Sequence, residues 1–505
     1  MNTRRDFLKA SAFASFYIAS SRAFGAFSGH GLNGLPTVGF IGMGPQGRGL
    51  LGNFLRCKCV VTCICDCDRV RCNDSCERAR KHYRSNPHLG IPESAVRAEY
   101  DFRKVIEDPT IDLVCIATPD HWHAYMVVEA MKHGKDVYCE KPLTYSVDEA
   151  RVIEAVARQT GRLLQTGSMQ RSGHEFWAAC TMARNGVIGD IKYAENNFGG
   201  PSRPRRDYED PKKAESEGAP NPDVDFEMWL GAAPKVPYSD RLAPRGVHNF
   251  FPDFWRRDDY FGSGACGDWG AHHMDIMHWG TGHDGTGPVK VIASAENPSG
   301  DWKDGGRRQR GATLVYADGF KAKHIGDTNW GTVFYGTKGI LCVDRGRFAL
   351  WTGENTVLDD NKEVRKALSK GTFDGLKKVA YHNGRNAFNF DIWGEEFGKD
   401  AGHAIRLAEE RVGIKVKDLP KQLCRSEDHV RSFIECCVAR KAPICDHTVG
   451  PWSSVLCQLL NMSYVHATGF DWDPKGMTFA NGTGDRSWLA RTELRPDTGK
   501  FAVRA

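Results

Sequence analysis

The chain has 505 residues, 41% of them apolar, and a formal charge of +5. That length can bury a large core, exceeds one small module and predicts two domains. The charge is no electrostatic footprint for nucleic acid: Arg4, Arg5, Lys9 and Arg22 against Asp6 concentrate it in residues 1–26, leaving about +2 on the rest. The basic stretches "SRPRRD" and "GGRRQR" sit in Gly/Pro-rich sequence and read as solvated loops. No later stretch reaches the ~18 apolar residues of a membrane span.

Residues 1–26 read as a signal peptide, with a charged start, a mild apolar run and small residues at Ala23–Ala26. Thr3-Arg4-Arg5-Asp6-Phe7-Leu8-Lys9 adds the twin-arginine pattern, an address read by the twin-arginine export machinery, which carries folded proteins. The expected location is the periplasm or another extracytoplasmic space.

After a Gly-rich joint, "LPTVGFIGMGPQGRGLLGNFL" predicts strand, glycine turn and helix start. "CVVTCIC" is a second strand ending at Asp66, "DRVRCNDSCERARKHY" a helix, "IDLVCIATP" a buried strand and "HWHAYMVVEAMKHG" a helix with a glycine stop. "KDVYCE" and "RLLQTG" are further strands, flanking a helix that Ser146 and Glu149 open as a capping box. This alternation predicts a doubly wound parallel sheet over residues 36–168. Seven of the 17 cysteines crowd between Cys57 and Cys76. Folding before export argues against a disulfide framework, and the alternation of Cys63, Cys65 and Cys67 matches strand period rather than a zinc ribbon, so they read as small buried residues.

Beyond residue 168 the texture changes. "IKYAENNF", "VKVIASAEN", "GATLVYADG", "FKAKHIGD" and "GTVFYGTKGILCVD" alternate between Gly/Asp turns and predict a mostly antiparallel sheet. Residues 199–225 read as a long loop, and "SEDHVRSFIECCVARK" and "WSSVLCQLLNMSYVHATG" as two helices. The expected class is α/β: a Rossmann domain at 36–168, followed by an α+β domain with a large open sheet at 169–505.

Gly42-Met43-Gly44-Pro45-Gln46-Gly47 is a GxGxxG between a predicted strand and helix, with Asp66 ending the next strand. The glycines let a pyrophosphate approach the helix N-terminus, and Asp66 would accept from a ribose 2′-hydroxyl while repelling a 2′-phosphate. NAD is therefore the expected cofactor; Arg69 leaves NADP as the alternative. Lys141 in "CEKPL" follows the fifth strand at the ligand-binding edge of the sheet, and "ATPDHWHA" brings Asp120, His121 and His123 to the same crevice, one histidine expected only to pack. In "GDWGAHHMDIMHWG", Asp268, His272 and Asp275 share one helix face, whereas His272, His273 and His278 do not, so no metal site is expected. Trp255 and Arg256 are weaker candidates for the pocket wall: a plate for a sugar face and a donor to its hydroxyls.

The fingerprint, "TPDHWHA", "CEKPL" and "DWGAHHMD" together resemble the glucose–fructose oxidoreductase/inositol dehydrogenase/MocA-like family over almost the whole mature chain. "QTGSMQRS", "MWLGAAP" and "FDWDP" look like its exported branch acting on sugars and glycosides. The resemblance implies catalytic Lys141, Asp268 and His272. His272 would take the hydroxyl proton, Asp268 would orient it or bind the neighbouring hydroxyl, and Lys141 would polarise the developing carbonyl. It also implies cofactor contacts from Gly42, Gly44, Gln46, Gly47, Asp66, Thr118, Pro119, His123, Glu140 and Lys141. Arg171 and Asp275 join Trp255, Arg256 and the catalytic three as substrate contacts. A homodimer or homotetramer binding a sugar, cyclitol or glycoside is expected. The rivals are an NAD-dependent glycosidase using transient C3 oxidation and a non-catalytic dinucleotide or sugar sensor. A tightly held cofactor would need closure over the pyrophosphate, by residues 29–35 or the 199–225 loop.

Overall fold

A computed structural model describes residue 31 and residues 34–202, 219–251, 254–295, 309–325, 330–352, 377–381, 401–491 and 503–504. Residues 1–26, expected to be a signal peptide, most of the 199–225 stretch and most of both basic stretches lie outside the described residues.

The first layer is built on strands β1 (Thr37–Ile41), β2 (Val60–Cys65), β3 (Arg97–Glu99), β4 (Leu113–Ile116), β5 (Asp136–Cys139) and β6 (Leu164–Thr166). They form one parallel sheet in the order β3-β2-β1-β4-β5-β6. Runs such as "TVGFI" and "LVCI" are buried throughout, as strands covered on both faces must be. The covering helices are α1 (Pro45–Phe54), α2 (Arg69–Ser85), α3 (Asp120–Lys132) and α4 (Val147–Thr160). The capping box forms at the start of α4, where Ser146 and Glu149 satisfy each other's backbone N–H groups. All 17 cysteines are free thiols, and Cys63 and Cys65 are buried on β2.

The second sheet comprises β7 (Ile191–Asn197), β8 (Lys290–Ile292), β9 (Thr313–Val315), β10 (Lys321–Ile325), β11 (Thr332–Gly336), β12 (Gly339–Asp344), β13 (Arg347–Thr352), β14 (Lys377–Tyr381), β15 (Phe470–Asp473) and β16 (Thr478–Ala480). Its order is β14-β13-β12-β11-β7-β10-β9-β8-β15-β16. It is antiparallel except for β7 beside β10, which run parallel; β10 lies on the opposite side of β7 from β11. Helices α5 (His174–Arg184) and α6 (Gly270–Thr281) pack on this sheet, with α7 (Ala401–Val412) near its β13–β14 edge.

Three features depart from the sequence expectation. Helix α8 (His429–Ala439) returns to the first domain, where Val430, Phe433 and Ile434 join the core around Phe40, Phe54 and Tyr138. Helix α9 (Gly450–Val465) packs against both α4 and α6, so the domains share a buried seam. The segment carrying Asp268 and His272 is also not one unbroken helix. A short helix, Gly264–Asp268, ends at Trp269, and α6 starts at Gly270. Gly270 is needed there for packing: a Cβ would stand 3.0 Å from Cys457 Sγ and 3.1 Å from Phe198.

Two glycines of α1 separate close approach from mere helix content. A Cβ on Gly47 would lie 2.0 Å from the Gly42 carbonyl oxygen, whereas one on Gly49 meets nothing within 4 Å. Gly47→Ala should destabilise by about 1–3 kcal/mol, while Gly49→Ala should be neutral or stabilise by up to about 1 kcal/mol. Urea denaturation midpoints of the two variants would check this; equal midpoints would contradict it.

Candidate active site

A cavity of about 740 Å³ runs along the carboxyl edge of the first sheet, with the second domain as its far wall. The order of the strands dictates that place: β2 lies on one side of β1 and β4 on the other, so their following loops part and leave a crevice. Residues at the ends of β1, β2, β4, β5 and β6 all reach it.

At one end the glycine turn opens. Gly42 adopts φ +92°, and a Cβ there would stand 2.7 Å from the Ala117 backbone. No atom lies within 4 Å of where a Gly44 Cβ would be, so the backbone at the start of α1 can be approached closely. No side chain caps α1, which leaves its first N–H groups for an anion. Asp66 Oδ2 accepts from Met43 N at 2.6 Å and Oδ1 from Asp68 N at 2.8 Å, fixing this carboxylate beside the turn. Gln46 donates to Glu140 at 2.8 Å. Burial pushes the Glu140 carboxyl up, against the pull of Gln46 and Lys141. Gly42, Gly44, Gln46, Asp66, Thr118, Pro119, His123 and Glu140 line the cavity; Gly47 supports it from behind. This arrangement fits a dinucleotide.

At the other end, Lys141 follows β5 and donates to both the carboxylate and the carbonyl oxygen of Asp268, the latter at 2.9 Å. Burial pushes the Asp268 carboxyl up, but Lys141 and Arg256 outweigh it and hold the group below the usual carboxylate range. Asp268 is thus bonded to the lysine, not to His272. His272, in the first turn of α6, lines the same wall, and its Nδ1 is buried with no hydrogen-bond partner among the described residues. Burial, reinforced by Lys141 and Arg345, pushes the imidazole well below 6.5, so the ring is a neutral acceptor at neutral pH. Trp255 and Arg256 line the cavity as expected; Arg256 stacks 4.3 Å over Trp255 and reaches within 3.8 Å of Asp268. Asp120 is buried in the wall, and burial raises its carboxyl to about 7 against the pull of Arg256.

The remaining histidines diverge. His123 bridges the carbonyls of Pro142 (2.7 Å) and Thr118 (2.9 Å), holding two strand ends together, and burial pushes it down to about 4. His121 packs among Trp229 and Phe261, away from the cavity. His273 lies against Gly331, and His278 meets the Tyr316 hydroxyl at 2.6 Å.

Arg171 and Asp275 do not reach the cavity lining. Arg171 forks onto Asp275 at 2.7 and 2.9 Å and onto Asp284 at 2.6 and 3.0 Å, both Arg171 and Asp275 being about 2% exposed. The triad ties the turn after β6 to α6, one helical turn beyond His272. The sequence reading missed Gln170, Glu175, Trp269 and Arg345, which do line the cavity. Arg345 tips the β12–β13 hairpin, whose Asp-Arg-Gly sequence marks a turn but not what the turn faces.

The cleft is also roofed. Residues 223–225 bridge to 67–69 just after Asp66, with Arg69 N to Asp223 O and Asp225 N to Cys67 O both at 2.9 Å. Further on, Arg71 of α2 donates to the carbonyls of Gly246 (3.1 Å) and Pro244, and Arg48 of α1 to Asn249 at 2.8 Å. Trp229, Leu242, Trp255 and Phe261 give this strap a small core of its own. Residues 223–251 thus supply closure over the cleft, whereas Gly31, Gly34 and Leu35, the described members of 29–35, lie outside the cavity lining.

The sequence profile of an oxidoreductase family's NAD-binding Rossmann fold matches residues 37–168, and that of the same family's C-terminal alpha/beta domain matches residues 209–341. A glycosyl hydrolase family 109 protein from Shewanella pealeana is 29% identical over 159 residues, 31% of this chain and 34% of that protein. The uncharacterised oxidoreductase YrbE from Bacillus subtilis is 35% identical over 108 residues, 21% of this chain and 32% of that protein. The chain thus matches about a third of each relative's length. Among solved structures, an NAD-binding protein from Listeria innocua shares the fold at TM-score 0.50 and 14% identity, covering 86% of this chain and 96% of that one. Levoglucosan dehydrogenase in complex with NADH and levoglucosan aligns at TM-score 0.49 and 16% identity, over 86% of this chain and 99% of that one.

The buried triad makes a direct prediction. Arg171→Met strands two carboxylates and should cost about 3–5 kcal/mol of stability. Thermal unfolding would check it: an unchanged midpoint would mean the triad carries no structural load.

Proposed function

The chain belongs to the Gfo/Idh/MocA oxidoreductase family, and on that premise we propose that it oxidises a secondary hydroxyl of a sugar, cyclitol or glycoside with a tightly held NAD. The observation that carries this reading is the convergence of Lys141, Asp268 and His272 on one cavity wall, with the glycine turn and Asp66 at the other end of the same cavity. When bound, NAD supplies the hydride acceptor; the rest is done by the chain's own groups. The neutral imidazole of His272 takes the hydroxyl proton. Lys141, held by Asp268, donates to the oxygen as carbonyl character develops. Trp255 offers a plate for an apolar sugar face.

The twin-arginine reading adds a constraint. A protein loaded with NAD before export would lose a loosely bound dinucleotide where free NAD is scarce. The strap over the cleft supports retention, and the cofactor would then be recycled in place. One route is reduction of the substrate's own ketone after loss of an aglycone, a reading supported by the likeness to a Shewanella glycosyl hydrolase family 109 protein. Aryl glycosides separate the two outcomes: accumulated ketone with reduced cofactor, or released aglycone without it.

His272→Ala should lower turnover by about 10²–10⁴-fold while NAD still binds; His273→Ala, stacked on Trp269 away from the cavity, should cost far less. Because His272 titrates well below 6.5, the base stays deprotonated as pH falls through that value. The acid limb of kcat/KM for which it is responsible therefore lies lower still. A steady-state pH profile with an acid limb at an ordinary histidine position, or an active His272→Ala, would sink the assignment.

NAD should co-purify with the protein and be released on denaturation, and Arg48→Ala/Arg71→Ala should speed its dissociation at least tenfold by freeing the strap. Absorbance and mass of the released material, with stopped-flow displacement, would test this. Protein that purifies empty and needs millimolar added NAD would refute retention.

A further inference from the structure

We propose that Arg345 selects substrates bearing a carboxylate, so that this enzyme's preferred sugar is a uronic acid or a glycoside of one. The inference rests on the oxidoreductase reading above and adds the charge of its substrate.

Arg345 sits at the tip of the β12–β13 hairpin and forms part of the cavity wall contributed by the second domain. Three contacts hold it there. Its guanidinium lies 4.7 Å over the ring of Trp269, another wall residue. Gln170, in the orientation that satisfies its amide, accepts from Arg345 Nε at 3.2 Å and donates to the His272 carbonyl at 3.1 Å. The hairpin itself is fixed, with Gly346 N donating to Glu175 at 2.9 Å and Arg347 pairing with Asp344 at 2.8 Å. The side chain is thus oriented before any ligand arrives, and one amide spans it and the residue that takes the proton.

What it lacks among the described residues is a counterion. Among the described residues no carboxylate lies within ion-pair distance of Arg345, and its terminal nitrogens make no hydrogen bond. The acidic groups nearby are otherwise engaged: Asp268 with Lys141, Glu140 with Gln46, Asp344 with Arg347, and Glu175 with Gly346 N. Lys141 pairs with Asp268, so among the described residues Arg345 is the oriented cation on this wall with no ion-pair partner of its own. A guanidinium edge matches a carboxylate through two parallel N–H···O bonds, and a single cation balances one negative charge. A phosphate dianion would call for a second cation there.

The test uses pairs that differ only at C6: glucuronate and glucose, galacturonate and galactose, mannuronate and mannose, with glucose 6-phosphate and glucose 6-sulfate as other anions. Binding to the NAD-loaded protein is read by tryptophan fluorescence, which Trp269 beside Arg345 makes a local probe, and oxidation by NADH formation. In at least one pair the acid should bind about tenfold or more tightly than its neutral parent. That ratio should fall towards one in Arg345→Gln and to an intermediate value in Arg345→Lys, which keeps the charge but loses the fork. The proposal is overturned if the neutral sugar binds as well as the acid in every pair, if the phosphate or sulfate outbinds the carboxylate, or if the ratio survives in Arg345→Gln. Neutral sugars oxidised as readily as acids would defeat this inference alone; no sugar of either kind bound or oxidised would defeat the oxidoreductase reading with it.

Discussion

The pairing of Lys141 with Asp268 is the contact on which the site depends, because its two partners come from different domains. Lys141 ends a strand of the parallel sheet; Asp268 ends a short helix of the second domain. An exposed pair of this kind contributes little to stability, but this one is largely screened from water by the walls it joins, 14% and 26% exposed. Its importance is geometric. It places the helix start that carries His272 against the sheet edge where a dinucleotide would lie, and it sets a carboxylate against the lysine charge that acts on that imidazole.

The surrounding charges follow a consistent logic. Burial alone would protonate a carboxylate and neutralise a histidine. Asp268 escapes the first because Lys141, hydrogen-bonded to it, and Arg256 outweigh burial, whereas Asp120, deeper in the wall and beside the Asp268 charge, is raised to about 7. His272 undergoes the second fully, with Lys141 and Arg345 adding to the effect. One small volume therefore holds an ionised carboxylate, a carboxyl poised near neutrality and an uncharged base.

Most of the first domain was legible in the sequence. Parallel strands buried on both faces leave uninterrupted apolar runs, and the glycine turn, Asp66 and the capping box at Ser146 each have a local cause. The site was legible wherever a residue follows a strand of that sheet, as Lys141 and His123 do. It was not legible where placement depends on the second sheet's order. Arg345 is a turn residue in sequence and becomes a wall residue only because β12 and β13 pack on α5, which sets their hairpin tip beside Trp269 at the start of α6. Arg171 and Asp275 are expected at the substrate only because the family resemblance implies it, and a buried charge is costly without a partner. They supply that partner to each other, which residue spacing does not reveal. The helix face inferred for Asp268, His272 and Asp275 assumed one continuous helix, and the break at Trp269 reorients its first member.

The free cysteines carry a consequence of their own. Burial pushes the thiols of Cys59, Cys63 and Cys65 up, away from the thiolate that oxidants and disulfides attack. No cross-link holds the chain together, so its stability owes nothing to an oxidising catalyst or to the glutathione poise around it. Transfer from a reducing to an oxidising compartment would leave the buried β2 thiols chemically silent, and the exposed Cys424 would be the first to register the change.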